Sequence, residues 1–168
     1  SFILQHDTTN TIFKHDTTER MRIDSSGNLL VGKTSANIAT VGHEINGNGG
    51  YASHTRSGNT CLFLNRTTSD GDIVQFRKNG TTVGSIGTNS SSIYALSGDT
   101  GILLYDFDDE ILPVGTSANT RDAAISLGRS TTRFKDLHMG GSAFVGGDII
   151  MNSTSSTSVG YGHTVYVN

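Results

Sequence analysis

The stretch Ile73-Val74-Gln75-Phe76-Arg77-Lys78-Asn79-Gly80-Thr81-Thr82-Val83-Gly84-Ser85-Ile86 decides the fold class. Two β-prone runs flank Asn79-Gly80, the pair that best accepts positive φ at both centres of a type I′ turn. It predicts an antiparallel hairpin. The same arrangement recurs outward along the chain. Ile93-Tyr94-Ala95-Leu96 and Ile102-Leu103-Leu104-Tyr105 flank Ser97-Gly98-Asp99-Thr100-Gly101. Ile23 and Leu29-Leu30 flank Asp24-Ser25-Ser26-Gly27-Asn28, and Phe144-Val145 and Ile149-Ile150 flank Gly146-Gly147-Asp148. Short strands separated by Gly, Asn, Asp and Ser belong to sandwiches, barrels and β-fibres.

Composition agrees. Gly, Ser, Thr and Asn make 75 of the 168 residues, whereas Glu, Gln and Lys number 3, 2 and 4. Good helix formers are nearly absent, which excludes a helical bundle or coiled coil and argues against an α/β fold. Leu, Ile, Val and Phe sum to 40, just above the floor at which a chain stays disordered. The expectation is an all-β chain with a thin core. Many strand positions are Thr, Ser or Gly, too little apolar surface for a lone domain. A symmetric oligomer sharing apolar residues around one axis is therefore expected, with an unstable lone monomer; three copies are expected, although composition does not fix that number.

Net charge is −3, which argues against nucleic acid as a partner. No run of about 18 apolar residues exists, so no membrane insertion through a helix is expected. The chain starts mid-stream at Ser1-Phe2-Ile3-Leu4 and reads as a segment of a longer protein. The single Cys61 excludes an intrachain disulfide, and its neighbours Leu62 and Phe63 predict a buried thiol.

Two internal repeats organise the chain. Gln5-His6-Asp7-Thr8-Thr9-Asn10 returns nine residues later as Lys14-His15-Asp16-Thr17-Thr18-Glu19, each copy preceded by an apolar patch. Each unit reads as a strand and a polar turn that must stack on its neighbours. More loosely, Leu30-Val31-Gly32-Lys33-Thr34-Ser35-Ala36-Asn37 resembles Pro113-Val114-Gly115-Thr116-Ser117-Ala118-Asn119. The expected organisation is a repetitive shaft at 1–23, a hairpin-rich module at 24–110 and a C-terminal β module at 111–168.

Two stretches carry a family resemblance. Glu19-Arg20-Met21-Arg22-Ile23-Asp24-Ser25-Ser26-Gly27-Asn28-Leu29-Leu30-Val31-Gly32 resembles a module of bacteriophage tail fibres. Here Lys33-Thr34 follows, in place of the more usual apolar-Gly-Thr ending. Leu127-Gly128-Arg129-Ser130-Thr131-Thr132-Arg133-Phe134-Lys135-Asp136-Leu137-His138-Met139-Gly140-Gly141 is similar to a stretch near the C-terminal end of such fibres, with Phe134 at a position usually Trp and His138 at one usually Tyr. In many members that stretch precedes a self-cleaving chaperone domain. The resemblance implies an elongated, intertwined homotrimeric fibre of β-prism or β-sandwich-like modules. Its place would be the virion tail, and its partners other tail proteins and a host cell-surface glycan or protein. It implies a structural and adhesive role, with no catalysis and no cofactor. Two other readings compete: a tailspike-like glycan depolymerase and a non-viral surface adhesin module.

Several residues are candidates for sites. Gly27-Asn28-Leu29-Leu30-Val31-Gly32-Lys33-Thr34 matches the phosphate-binding P-loop pattern, but the residues after it lack the helix that this chemistry requires. Asp106, Asp108 and Asp109, with Glu110, form the densest acidic cluster, able in principle to hold Ca²⁺ or to supply glycosidase carboxylates. His6 and His15 occupy equivalent places in the nine-residue repeat, so each could form an axial ring of imidazoles in a trimer. His43, His54, His138 and His163 show no ligand-like spacing. Tyr161, His163 and Tyr166 near the C-terminus, and Tyr51, are the candidate receptor contacts, because Tyr offers stiff amphipathic area.

Overall fold

The computed structural model describes residues 1–147. The chain divides into two compact units, Ser1–Asp122 and Ala123–Asn168. The first holds eleven strands: β1 Phe2–His6, β2 Thr11–His15, β3 Thr18–Ile23, β4 Leu29–Val31, β5 Gly42–Asn46, β6 Tyr51–Thr55, β7 Gly71–Lys78, β8 Thr81–Asn89, β9 Ser92–Ser97, β10 Thr100–Tyr105 and β11 Glu110–Val114. They form two antiparallel meanders, a six-stranded sheet ordered β1 to β6 and a five-stranded sheet ordered β7 to β11. Among the described residues there is no α-helix. The all-β expectation holds.

The turns explain the register. Lys78 pairs with Thr81, so Asn79-Gly80 is a two-residue turn with φ +49 and +80, as type I′ geometry demands. Ser97 pairs with Thr100, leaving Gly98-Asp99 at the bend with only Gly98 at positive φ. The loop between β3 and β4 is closed by one carboxylate: Asp24 accepts from the backbone N–H groups of Ser26 and Asn28 and from the Asn28 amide.

The two copies of the nine-residue repeat turn differently. Asp7 begins a four-residue loop and caps it by accepting from the N–H groups of Thr9 and Asn10. Asp16 instead sits at φ +53 in a two-residue turn. Arg20 is an extra residue in β3, because Lys14 pairs with Glu19 and Phe13 with Met21. That bulge resets the alternation of side chains. Glu19 and Arg22, three apart, thereby share a face and form a bidentate pair, both bonds 2.6 Å.

Residue 24 lies in the loop between two paired strands of the first sheet, and residue 111 lies inside β11. The two loosely repeated stretches have one thing in common. Each leaves a strand end, after Val31 or Val114, and returns over its own sheet. Lys33 is buried in the first loop and Ala118 in the second. In the second unit, residues 123–147 form no strand, and an isolated bridge joins Arg129 to Thr132. Phe144 and Val145, expected to begin a hairpin, lie outside any strand. Their expected partners Ile149-Ile150 lie outside the described residues.

Candidate functional site

Each sheet has one covered face and one uncovered face. In the first sheet the row Gln5, Ile12, Arg22, Leu30, Glu44, Ser53 crosses all six strands on the covered side. Leu30 and Glu44 are fully buried there, beneath the loop that carries Lys33. The Lys33 ammonium donates to Glu44 Oε2 at 2.9 Å and to the Asn37 carbonyl at 2.7 Å. The Asn37 N–H and the Tyr51 hydroxyl also donate to Glu44. Lys33 foremost, with Asn46 and Tyr51, holds the Glu44 carboxyl below its usual range. Gly42 is required here: its φ is +134, and a Cβ would meet the Lys33 side chain and the Val31 carbonyl.

The opposite side of that sheet is apolar and open. Leu4, Phe13, Met21 and Val31 form one row, which ends in His43 and His54, and Thr11, Ile23, Leu29, Ile45 and Ala52 form the next. Phe2 is 71% exposed, Leu4 59% and Ile45 55%. The second sheet repeats the pattern. Its covered face packs Tyr94, Leu103 and Val114 against Ala118 of the turn Thr116–Ala118. Its other face carries Val74, Ile86, Ala95, Ile102 and Pro113 in one row, and Thr88, Ile93, Leu104 and Ile111 in the next. Ile102 is 48% exposed and Ile111 70%. Contiguous exposed apolar patches mark surfaces made for contact.

A polar cleft of about 800 Å³ lies on the covered side of the second sheet, lined by Arg66, Asp72, Gln75, Ser85 and Tyr94 among others. Asp72, Gly87 and Tyr94 are aligned across three strands. Because Gly87 has no side chain, the Tyr94 ring passes over it and donates its hydroxyl to Asp72 Oδ1 at 2.8 Å. Burial, and then this bond, push the Tyr94 phenol up to about 12. The Ser85 and Tyr94 hydroxyls and the Gln75 amide hold Asp72 below its usual range. A carboxyl stabilised as its anion suits a hydrogen-bonding anchor and not a general acid.

The candidate residues read from sequence fall as follows. Asp106, Asp108 and Asp109 lie exposed in the four-residue loop between Tyr105 and Glu110, with Asp109 at φ +55. The loop does not gather them into a cation site. No group of three His, Cys, Asp or Glu able to hold a metal occurs among the described residues. His6 and His15 share the open apolar face but stand at opposite ends of the β1–β2 hairpin, since His6 pairs with Thr11 and His15 with Phe2. His15 Nδ1 lies 3.2 Å from Asp16. Tyr51 keeps an exposed ring while its hydroxyl is engaged by Glu44 and Asn46. Tyr161, His163 and Tyr166 lie outside the described residues.

One expectation about a candidate residue is corrected. Cys61 is exposed, not buried. Residues 56–70 form no strand, so Leu62, Phe63 and Leu64 have no sheet to lie against and are exposed as well. The P-loop pattern has no phosphate site: Lys33 is consumed by Glu44 and Asn37, and no helix follows it.

One pairing escaped the sequence. His43 and His54 face each other across β5 and β6, with their Nδ1 atoms 2.7 Å apart. They lie eleven positions apart, which is no recognisable ligand spacing. The signal was the strand–turn–strand stretch around Gly47-Asn48-Gly49-Gly50, which fixes their register. No family model, curated protein or solved structure matches this chain.

Proposed function

We propose that this chain is a structural and adhesive segment of a bacteriophage tail fibre that works as a homotrimer. The observation that carries the reading is the pair of uncovered apolar sheet faces. A chain with so few large side chains places Phe2, Leu4, Ile23 and Ile45 on one open face, and Ile93, Ile102, Leu104 and Ile111 on another. Turned toward a common axis, these faces become the shared interior of three copies, and the polar edges and loops face outward. The number three and the assignment to a virion tail rest on the resemblance of Glu19–Gly32 and Leu127–Gly141 to fibre modules. In this reading Glu19, Arg22 and Asp24 are the hydrogen-bonded skeleton of the first module.

The partners are further copies of the chain, other tail proteins, and a glycan or protein on the host surface. Adhesion is multivalent: weak contacts repeated over three chains and several fibres add up to stable attachment. Sedimentation equilibrium of the purified chain tests the assembly, and competition of the purified chain with phage adsorption tests the adhesion. Three times the chain mass together with blocked adsorption supports the proposal. A well-folded monomer that leaves adsorption unchanged refutes it.

A further inference from the structure

The β5–β6 hairpin builds a pair of ligands that the proposed fibre role leaves unused. Its register runs unbroken from Gly42 opposite Thr55 to Asn46 opposite Tyr51. Its turn is tied down where the Gly47 N–H donates to the Asn28 side-chain oxygen. His43 and His54 are therefore set directly opposite each other by backbone pairing, with ring centroids 5.0 Å apart and ring planes at 60°. Val31, Ile45 and Ala52 surround them on the same open face.

Two Nδ1 atoms 2.7 Å apart are close to what a cation needs. Metal–imidazole bonds are about 2.0–2.1 Å. Two such bonds at a right angle place the nitrogens about 2.9 Å apart, and at a tetrahedral angle about 3.4 Å. The observed 2.7 Å is the length of an N–H···N hydrogen bond, and an opening of about 0.2 Å brings the two nitrogens to the right-angle spacing of tetragonal Cu(II) and Ni(II).

We propose that His43 and His54 form a cross-strand chelate for a tetragonal divalent cation, Cu(II) or Ni(II). Both imidazoles bind as neutral ligands through Nδ1. The hydrogen now shared between the two Nδ1 atoms moves to Nε2 through solvent, so no charge or electron is left over. No third His, Cys or carboxylate joins them among the described residues, and water completes the coordination. The two ligands come from one chain and lie at the β6 edge of the open face, at the rim and not the centre of the surface that the fibre reading covers.

The test is calorimetric titration of the full chain with Cu(II) and Ni(II) salts, alongside His43→Gln, His54→Gln and His6→Gln. One ion per chain is expected, weakened at least tenfold by either of the first two substitutions and unchanged by the third. Continuous-wave electron paramagnetic resonance of the Cu(II) form should show coupling to two imidazole nitrogens in the wild type and in His6→Gln, and to fewer in His43→Gln and His54→Gln. Absence of binding overturns the proposal, as do coupling to fewer than two nitrogens in the wild type or equal loss in His6→Gln.

Discussion

Ile102→Lys separates a lone domain from a shared interior. Ile102 lies on the second sheet's open face, on β10 beside the edge strand, between Ala95 and Pro113, and is 48% exposed. In a monomer the lysine would stand in water, and a surface change of this kind moves stability by no more than about 0.5 kcal/mol. In an assembly the face is covered. Full burial of an isoleucine side chain contributes about 1.5–3 kcal/mol, so covering the exposed half contributes roughly 1 kcal/mol per copy. Three copies lose about 3 kcal/mol, which is about a hundredfold in the assembly constant at roughly 1.4 kcal/mol per tenfold. The desolvation of three ammonium groups adds to the loss. The midpoint of a trimer equilibrium moves as the square root of its constant, so sedimentation velocity over a concentration series should show the wild type associated and the variant dissociating at concentrations about tenfold higher or more. If both sediment alike, or the wild type is monomeric throughout, the reasoning about the open faces fails.

Other consequences can be measured directly. Lys33→Met strands the buried Glu44 carboxylate and should lower the melting temperature, and Lys33→Met with Glu44→Leu should recover most of the loss. Equal melting of the single and double variants would show that the pair is not coupled. Asp7 is held down to about 2, from an ordinary 3.8, by the N–H groups of Thr9 and Asn10. Its contribution is complete above the ordinary value and lost as pH falls toward 2, so Asp7→Asn should flatten the acid limb of the stability curve. An unchanged limb would rule this out. Tyr94, raised to about 12 from 10.0, works in the opposite direction. Its contribution is complete below pH 10 and fades as pH climbs through about 12, and Tyr94→Phe should remove that fading at a cost of about 1–3 kcal/mol at neutral pH. Denaturant titration at several alkaline pH values would read it, and a variant with the wild-type alkaline profile would refute it.

The hairpins were legible because local chemistry writes them. Asn79-Gly80 and Gly98-Asp99 specify their turns with no help from distant residues. Short apolar runs beside the turns then marked most strands, but not β5 or β6. The differing turns of the nine-residue repeat were not legible: one hydrogen-bonding Asp and one left-handed Asp share the same letters. The Arg20 bulge was hidden for a related reason, since it depends on which partner strand Glu19 meets. The burial of Cys61 was misjudged because apolar neighbours bury nothing unless a sheet lies beneath them. The His43–His54 pair was invisible, being a product of register and not of spacing. The acidic loop showed the converse, dense in sequence yet not gathered in space.

In both sheets the order of strands in space is their order along the chain. Every pairing is a neighbour's pairing, so each strand can be laid down as it leaves the ribosome, with little loop entropy to overcome. On the fibre reading, the slow event of maturation is then the meeting of separate polypeptides. Its pace would rise steeply with the concentration of chains.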